Sequence, residues 1–335
     1  MHLTDTQTSM TQRKIGSLTV SAVGLGCMNM SAGYGPADDN ESVKLLNKAV
    51  DLGVTFLDTA EMYGFGHNEE LIGNALANRR AEFILATKCG LSKRGINGNP
   101  DDIAKSCDDS LARLQTDAID LYYLHRVDPN FPIEDTVGAM GRLVEQGKVR
   151  ELGLSEVCSE NLRKAHAEHP IAALQSEYSL WSRTPERGIL DVCDELGVVM
   201  VPFSPLARAF LTGKAQDVTQ LPDNDLRCTI ARPRFEPDAF ASNSRLLVPF
   251  GEIAAQNNCT MAQLALAWLL AQRQKNMVPI PGTKHIEYLI ENAAANNVEL
   301  SAETVAELDQ LINEDTVVGN RYVDARMKEA DSERD

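Results

Sequence analysis

The chain has 335 residues, 43% of them hydrophobic and 24% charged, which is the composition of an ordinary globular protein and argues against global disorder. Its 32 basic and 48 acidic residues leave a net charge of −16, a surface that repels nucleic-acid backbones and anionic lipid. No stretch approaches the ~18 uninterrupted apolar residues of a membrane span.

Seven cysteines stand at Cys27, Cys89, Cys107, Cys158, Cys193, Cys228 and Cys259. The number is odd and no C-x-x-C pair occurs, so reduced thiols in a cytoplasmic protein are expected, with neither a disulfide framework nor a zinc ribbon. The opening MHLTDTQTSMTQ lacks the basic start and apolar middle of a secretory signal and reads as a flexible polar tail over 1–12.

RKIGSLTV (13–20) then predicts a hairpin closing the bottom of the fold, and VGLGCM (23–28) a first strand. Amphipathic helices follow, alternating with short β-rich runs. SVKLLNKAVDLG, EELIGNALAN, DDIAKSCDDSLARL, IEDTVGAMGRLVEQGK, NLRKAHAEH and RGILDVCDELG carry apolar residues at spacings of three and four. Between them lie TFLDTA, FILATKCG, DLYYLHR, VRELGLS, AALQSEYS and VVMVPFSP, and MAQLALAWLLAQ, MVPIPGTK and IEYLIENAAANN come later.

One strand, then six, then one make eight, in units of ~30 residues that imply parallel strands and right-handed crossovers. An open doubly wound sheet would need a third glycine after the first strand, and Gly24-Leu25-Gly26-Cys27-Met28-Asn29 lacks it. The fold predicted is a single-domain α/β protein, a (β/α)8 TIM barrel over residues 13–314. Residues 206–242 are proline-rich without clear periodicity and read as a long loop after strand 7. The charged tail over 315–335, ending RMKEADSERD, reads as solvated and mobile.

Barrel chemistry gathers where strands run into the following loops. Those ends carry Asp58 with Tyr63 just beyond it, Lys88, His125, Ser155, Gln175, Phe203-Ser204-Pro205, and Pro281-Gly282-Thr283-Lys284. Each has a plain structural reading: a helix cap for the aspartate, a snorkelling lysine, a core histidine, a packing aromatic. Converging on one mouth, they describe acid/base chemistry on an oxygen. Tyrosine releases its proton near pH ~10, an adjacent ammonium lowers that value, and a carboxylate keeps the ammonium charged. Asp58, Lys88 and Tyr63 supply the set, with His125 placed to orient a carbonyl oxygen.

A second cluster, PIPGTKHIEYLIEN (279–292), opens a helix with a glycine turn and a lysine, the makings of an anion site. The plain alternative is a strand–turn–helix with an exposed lysine. His166 and His169 flank Glu168 on a predicted helix without further ligands at metal spacing, so a solvated face is expected. Arg227, Arg232 and Arg234 either cover a ligand or pair with the acidic surface.

FLDTAEMYG, ATKCG, DLYYLHRVDP, GLSE, QSEYSLW, PFSPL and PIPGTK, in this order, resemble the aldo-keto reductase superfamily over about residues 13–314. LHRVDP and EYSLW look like its bacterial and fungal branch, which also resembles potassium-channel β-subunits. The resemblance implies an NADPH-dependent oxidoreductase, without metal or flavin, that reduces aldehydes or ketones to alcohols. Asp58, Tyr63, Lys88 and His125 match the catalytic tetrad, with Tyr63 the proton donor.

The remaining correspondences concern cofactor and substrate. Phe203 matches the aromatic stacked on nicotinamide, and Ser155 and Gln175 match its carboxamide contacts. Gly26, Cys27 and Met28 match the stretch lining cofactor and substrate, with Asp58 beside them. Ser204, Pro205, Leu206, Ala207 and Arg208 match the pyrophosphate loop, Gly282, Thr283 and Lys284 the 2′-phosphate turn, and Glu291 and Asn292 the adenine contacts. Met28, Met62, Tyr63, His125, Arg126 and Trp181 are the expected substrate walls. Glu156 stands where many relatives place Asn, and Ala207 and Ala209 where glycines are common. Two rivals are a nucleotide-binding, redox-sensing regulatory subunit with slow catalysis, and a phosphate-handling barrel without nicotinamide. The implied partner is a small carbonyl or alcohol; the sequence assigns no oligomeric state.

Overall fold

The structure, a computed structural model, describes residues 10–215, 218–272 and 276–335. A hairpin of β1 (Gln12–Ile15) and β2 (Leu18–Ser21) turns through Gly16 at φ 54°, as RKIGSLTV predicts. Seven parallel strands follow around one sheet: β3 (Leu25–Gly26), β4 (Phe56–Asp58), β5 (Ile84–Cys89), β8 (Ile119–Leu124), β9 (Val149–Ser155), β10 (Ile171–Glu177) and β11 (Val199–Phe203). A small antiparallel ribbon of β6 (Leu91–Ser92) and β7 (Gly95–Ile96) interrupts the connection after β5.

The eighth strand is the stretch Met277–Gly282, and its prolines explain its irregular ladder. Val278 and Ile280 donate to Met200 and Pro202 on β11, both at 3.0 Å. On the other side the carbonyls of Pro279 and Pro281 accept from Gly24 and Gly26, at 2.9 and 3.2 Å. Proline has no N–H to return, so at 279 and 281 this seam rests on the proline carbonyls, joined by a single parallel bridge between Gly26 and Gly282. The barrel closes, as a (β/α)8 fold requires.

Helices cover the outside: α1 (Asp39–Asp51), α2 (His67–Leu76), α3 (Pro100–Leu114), α4 (Ile133–Glu145), α5 (Ser159–Glu168) and α6 (Ile189–Leu196) each follow a strand. After β11 come α7 (Pro237–Ser244), α8 (Leu247–Gln256) and α9 (Met261–Leu270), and after the eighth strand α10 (Ile286–Ala294), α11 (Ala302–Leu311) and α12 (Asp324–Glu329). Their starts obey local chemistry: Asn99 caps α3 ahead of Pro100, and Thr260 and Gln263 form a reciprocal capping box on α9.

Two apolar layers result. The interior holds Ile15, Leu18 and Val20 of the hairpin against Phe56, Leu121, Tyr123, Val201, Val278 and Ile280. The hairpin therefore plugs the barrel bottom, at about 1.5–3 kcal/mol per buried large aliphatic side chain. Space inside is exhausted: a Cβ at Gly153 would come within 2.4 Å of the Tyr123 ring. The larger outer layer lies between strands and helices.

Two expectations are corrected. Residues 206–242 are not an aperiodic loop throughout, because they form short 3-10 turns and begin α7, and Leu226 N–H donates to Gly33 O at 2.9 Å. This bond ties the connection to the loop after β3. Residues 315–335 are charged but docked, with Arg321 4% exposed. Cys158 precedes α5 and offers no capping oxygen, so the carboxylates of Asp331 and Asp335 accept from Cys158 N–H and Ser159 N–H instead. The tail predicted over 1–12 lies outside the described residues up to residue 9.

Candidate active site

Strand ends and the turns after them bring Asp58, Lys88, His125 and Tyr63 together. Asp58 closes β4, Lys88 lies near the end of β5, His125 follows β8, and Tyr63 stands on the turn after β4. That turn is tight, with Gly64 and Phe65 both left-handed at φ 60° and 56°. A Cβ at Gly64 would come within 3.0 Å of the Ser31 side chain, so space as well as backbone conformation requires glycine there.

Lys88 is fully buried and has no spare N–H. Its Nζ donates to Asp58 Oδ1 at 2.5 Å, to Thr59 O at 2.7 Å and to the Tyr63 phenol oxygen at 3.2 Å. Gln175 Nε2 donates to the other carboxylate oxygen of Asp58 at 2.8 Å. The chain Gln175–Asp58–Lys88–Tyr63 thus fixes the phenol as an acceptor on its inner side, leaving its own O–H to point elsewhere. The Tyr63 and His125 rings meet edge to face, centroids 6.0 Å apart.

The electrostatics reverse one expectation. Burial raises the Tyr63 phenol above its usual value and outweighs the lowering by Lys88, so Tyr63 stays protonated rather than turning unusually acidic. Burial alone would lower the Lys88 ammonium, but Asp58 and Tyr63 overcome it and hold the group charged. His125 is driven well below the usual imidazole value by burial, then by Arg126 and Lys88, and is neutral at pH 7. Its Nδ1 has no partner among the described residues.

Asp58, Tyr63 and His125 line one end of a cavity of about 800 Å3, with Lys88 buried behind them. Gly26, Met28, Asp58, Met62, Tyr63, His125, Arg126, Ser155, Gln175 and Phe203 form its inner wall. Ser204, Pro205, Leu206 and Arg208, then Gly282, Thr283 and Lys284, then Glu291 and Asn292, extend it outward. Sites for cofactors and small ligands have this size and this mixture of apolar wall and a few placed polar groups. Arg126, Arg208, Lys214, Arg227 and Lys284 face it against the carboxylates of Asp58 and Glu291 only, in a chain that is −16 overall.

Other candidates lie elsewhere. Trp181 does not line the cavity: it is 1% exposed and stacked on Phe210 at 4.1 Å, because the chain after β10 folds back through the Ser179–Ser182 bridge. Cys27 and Ala207 are buried behind the wall; Cys27 N–H is spent on Asp58 O and its carbonyl on Asn68. Ala207, Arg208 and Ala209 keep left-handed φ of 50°, 55° and 74°, so the loop follows a glycine-like path although alanines occupy it.

Glu156 turns away from the cavity. It too is left-handed, at φ 56°, and its carboxylate accepts from Arg321 at 2.5 Å, from Ser332 and from Glu177 N–H. Arg208 faces the cavity, but its fork is bidentate on Glu177 at 2.9 and 2.8 Å. Lys284 donates to the carbonyls of Tyr34 and Pro36, at 2.8 and 2.6 Å. Arg227 pairs with Asp225 over the Tyr34 ring and lines the cavity; Arg232 pairs with Glu236 at the surface, and Arg234 donates to Gly319 O and Ser182. Among the described residues no three His, Cys, Asp or Glu side chains converge as metal ligands.

The sequence reading missed Tyr34 and Tyr322. Tyr34 sits between Gly33 and Gly35, both at positive φ, and that glycine pair was the available signal. Tyr322 reaches the cavity from the docked tail, with the Arg208 and Arg321 guanidinia 5.1 and 5.0 Å from its ring, and no local pattern announces it.

Comparison with known proteins agrees over nearly the whole chain. Residues 22–313 match the model of the Aldo/keto reductase family. An aldo-keto reductase of Schizosaccharomyces pombe whose name specifies NADP(+) is 43% identical over 325 residues, 94% of this chain and 95% of that protein. Another, from Strobilurus tenacellus, is 44% identical over 326 residues, 94% and 95% of the two chains. Among solved structures, a glycerol dehydrogenase from Gluconobacter oxydans superposes with a TM-score of 0.82 at 28% identity, covering 90% of this chain and 94% of its own. A Klebsiella pneumoniae aldo-keto reductase in complex with NADPH gives 0.72 at 28% identity, covering 93% and 99%.

Proposed function

The chain belongs to the aldo/keto reductase family, and from that premise we propose that Asp58, Tyr63, Lys88 and His125 are the groups with which it performs its reaction. The protein is an NADP-dependent oxidoreductase that reduces aldehydes or ketones to alcohols. One observation carries the assignment of roles: Lys88 spends its third N–H on the Tyr63 oxygen, so the phenol proton is left for a substrate.

The cavity suits the cofactor. It is long enough to run from the tetrad to α10, and its excess of cations matches a dinucleotide phosphate. At Gly26 a Cβ would come within 2.9 Å of Ile280 O, so the wall there admits only a bare backbone. When bound, NADPH supplies the hydride for the carbonyl carbon. Tyr63 donates its proton to the carbonyl oxygen as negative charge develops there, and the Lys88 ammonium stabilises the resulting phenolate. Asp58, itself held by Gln175, keeps Lys88 charged and aimed. His125, neutral, donates one N–H to the same oxygen and fixes its approach.

By the same reading Phe203 would hold the nicotinamide ring, with Ser155 and Gln175 toward its carboxamide. Ser204, Pro205, Leu206 and Arg208 would hold the pyrophosphate, Gly282, Thr283 and Lys284 the 2′-phosphate, and Glu291 and Asn292 the adenine. The barrel over 13–314 is the catalytic unit, the substrate a small carbonyl compound and the compartment the cytoplasm, where seven free thiols are at home.

The test is NADPH oxidation over a panel of aldehydes and ketones, with NADH run in parallel. Turnover with at least one carbonyl is expected. Tight nucleotide binding without turnover on any of them would shift the reading to a regulatory subunit.

A further inference from the structure

Of the cations in the cavity, Arg208 is matched by Glu177, Arg227 by Asp225, Lys214 by Glu291 at 3.7 Å, and Lys284 by two carbonyls. Arg126 is different. Its Nη1 donates to its neighbour's carbonyl, His125 O, at 2.6 Å and to Ser155 Oγ at 3.2 Å. Among the described residues its Nη2 and Nε have no partner, and no carboxylate pairs with it, although the chain has 48 to offer.

Glu156 feels the charge of Arg126 but makes no ion pair with it, and a half-buried guanidinium without a directly bonded carboxylate is one that a chain so rich in carboxylates would be expected to pair if it served the fold alone. The two Nη1 bonds fix the plane of the fork before any ligand arrives. A planar fork with free donors matches a carboxylate, whose two oxygens accept side by side. The location is equally specific: Arg126 shares a wall with Tyr63, Met62 and Met28, and its charge is felt by both Tyr63 and His125.

We propose that Arg126 is the substrate-anchoring residue of this pocket, and that the carbonyl compounds preferred by the enzyme carry a carboxylate within a few atoms of the reacting carbonyl. These are short oxo acids, and their products are hydroxy acids. The hydride goes from NADPH to the carbonyl carbon, the proton from Tyr63 to its oxygen, and the carboxylate stays ionised on Arg126. This inference rests on the reading of Tyr63 as proton donor.

The experiment compares kcat/KM for three oxo acids, with the carboxylate one, two or three carbons from the carbonyl, each against its methyl ester. Wild type, Arg126→Met and Arg126→Lys are assayed with saturating NADPH, and NADPH binding is followed by intrinsic fluorescence. For at least one acid the wild-type acid-to-ester ratio should exceed about tenfold. Arg126→Met should collapse that ratio through KM for the acid, and Arg126→Lys should restore part of it. In wild type, a non-reducible carboxylate such as benzoate should also inhibit competitively far better than benzamide, a comparison that needs no variant.

Reduction of esters and acids with equal efficiency, or benzoate no better than benzamide, overturns the proposal while leaving the reductase reading intact. A weaker NADPH affinity in Arg126→Met with an unchanged ratio overturns it too, placing Arg126 on the nicotinamide. Absence of NADPH oxidation with every acid and ester overturns the proposal, and only the same absence across the aldehyde and ketone panel strikes the reductase reading itself.

Discussion

Lys88 Nζ lies 3.2 Å from the hydroxyl oxygen of Tyr63 and 2.5 Å from Asp58 Oδ1, bridging a carboxylate and a phenol in a site where Lys88 itself has no solvent exposure. The direction of the first bond decides the chemistry. A charged ammonium can only donate, so the phenol oxygen accepts on that side and can give its proton only to something in the cavity.

Tyr63→Phe removes that proton and little else. The phenyl ring keeps its edge contact with His125, and the cofactor-facing walls are untouched. Turnover should fall by about 10³-fold, the usual worth of a positioned general acid. NADPH affinity, read by fluorescence titration, should change by no more than about twofold. A variant that keeps half of wild-type kcat would remove Tyr63 from the role.

The pH profile follows from two directions of shift. Tyr63 lies above its usual phenol value, so the donor form persists through neutral and moderately alkaline solution. His125 lies well below the usual imidazole value, so it does not change charge near pH ~6.5. Reduction kcat should therefore be flat from about pH 6 to 9 and decline only beyond it. A break near 6.5 that disappears in His125→Asn would show that the histidine titrates in the working enzyme and refute the neutral assignment.

The sequence singled out Asp58, Tyr63, Lys88 and His125 because each lies at a strand end or in the turn just past one, and strand ends in a barrel share one mouth. The eighth strand was legible from MVPIPGTK even though Pro279 and Pro281 deprive it of a regular ladder. Trp181 went astray because its place in EYSLW says nothing about the fold-back that buries it on Phe210. The phenol shift was read with the wrong sign, since spacing exposes the ammonium but not the depth of burial that outweighs it. The docked tail was invisible for a third reason. Arg321 and Glu156 are 165 residues apart, and their pairing depends on tertiary closure that no local period encodes.

Lys284 should discriminate between the two nicotinamide cofactors. In the structure its ammonium is held by the carbonyls of Tyr34 and Pro36 at the outer end of the cavity, next to the start of α10. Neutral carbonyls are weaker partners for an ammonium than a phosphate, so a 2′-phosphate would be the stronger acceptor there. Lys284→Met should weaken NADPH binding by about 10- to 100-fold, the worth of one charge-assisted hydrogen bond, while NADH binding changes little. Equal losses for both, measured by titration, would take Lys284 out of the phosphate role.

The buried pairing of Arg321 with Glu156 and Glu177 makes the tail's contribution depend on pH in a calculable direction. Burial alone would raise both carboxyls, but Arg321 lowers Glu156, and Arg208 with Arg321 lowers Glu177 to about 2. A group whose folded pKa is depressed stabilises the fold above its unfolded value and loses that contribution as pH falls toward the folded one. Arg321→Met leaves Glu156 buried and ionised without its ion-pair partner, a loss of about 3 kcal/mol at pH 7. As pH drops from 5 toward 3 the stranded carboxyl of the variant takes up a proton, so the gap between variant and wild type should narrow. Urea midpoints at pH 7, 5 and 4 measure this. A gap that stays constant across the series would mean that Arg321 acts through packing on Tyr322 rather than through charge.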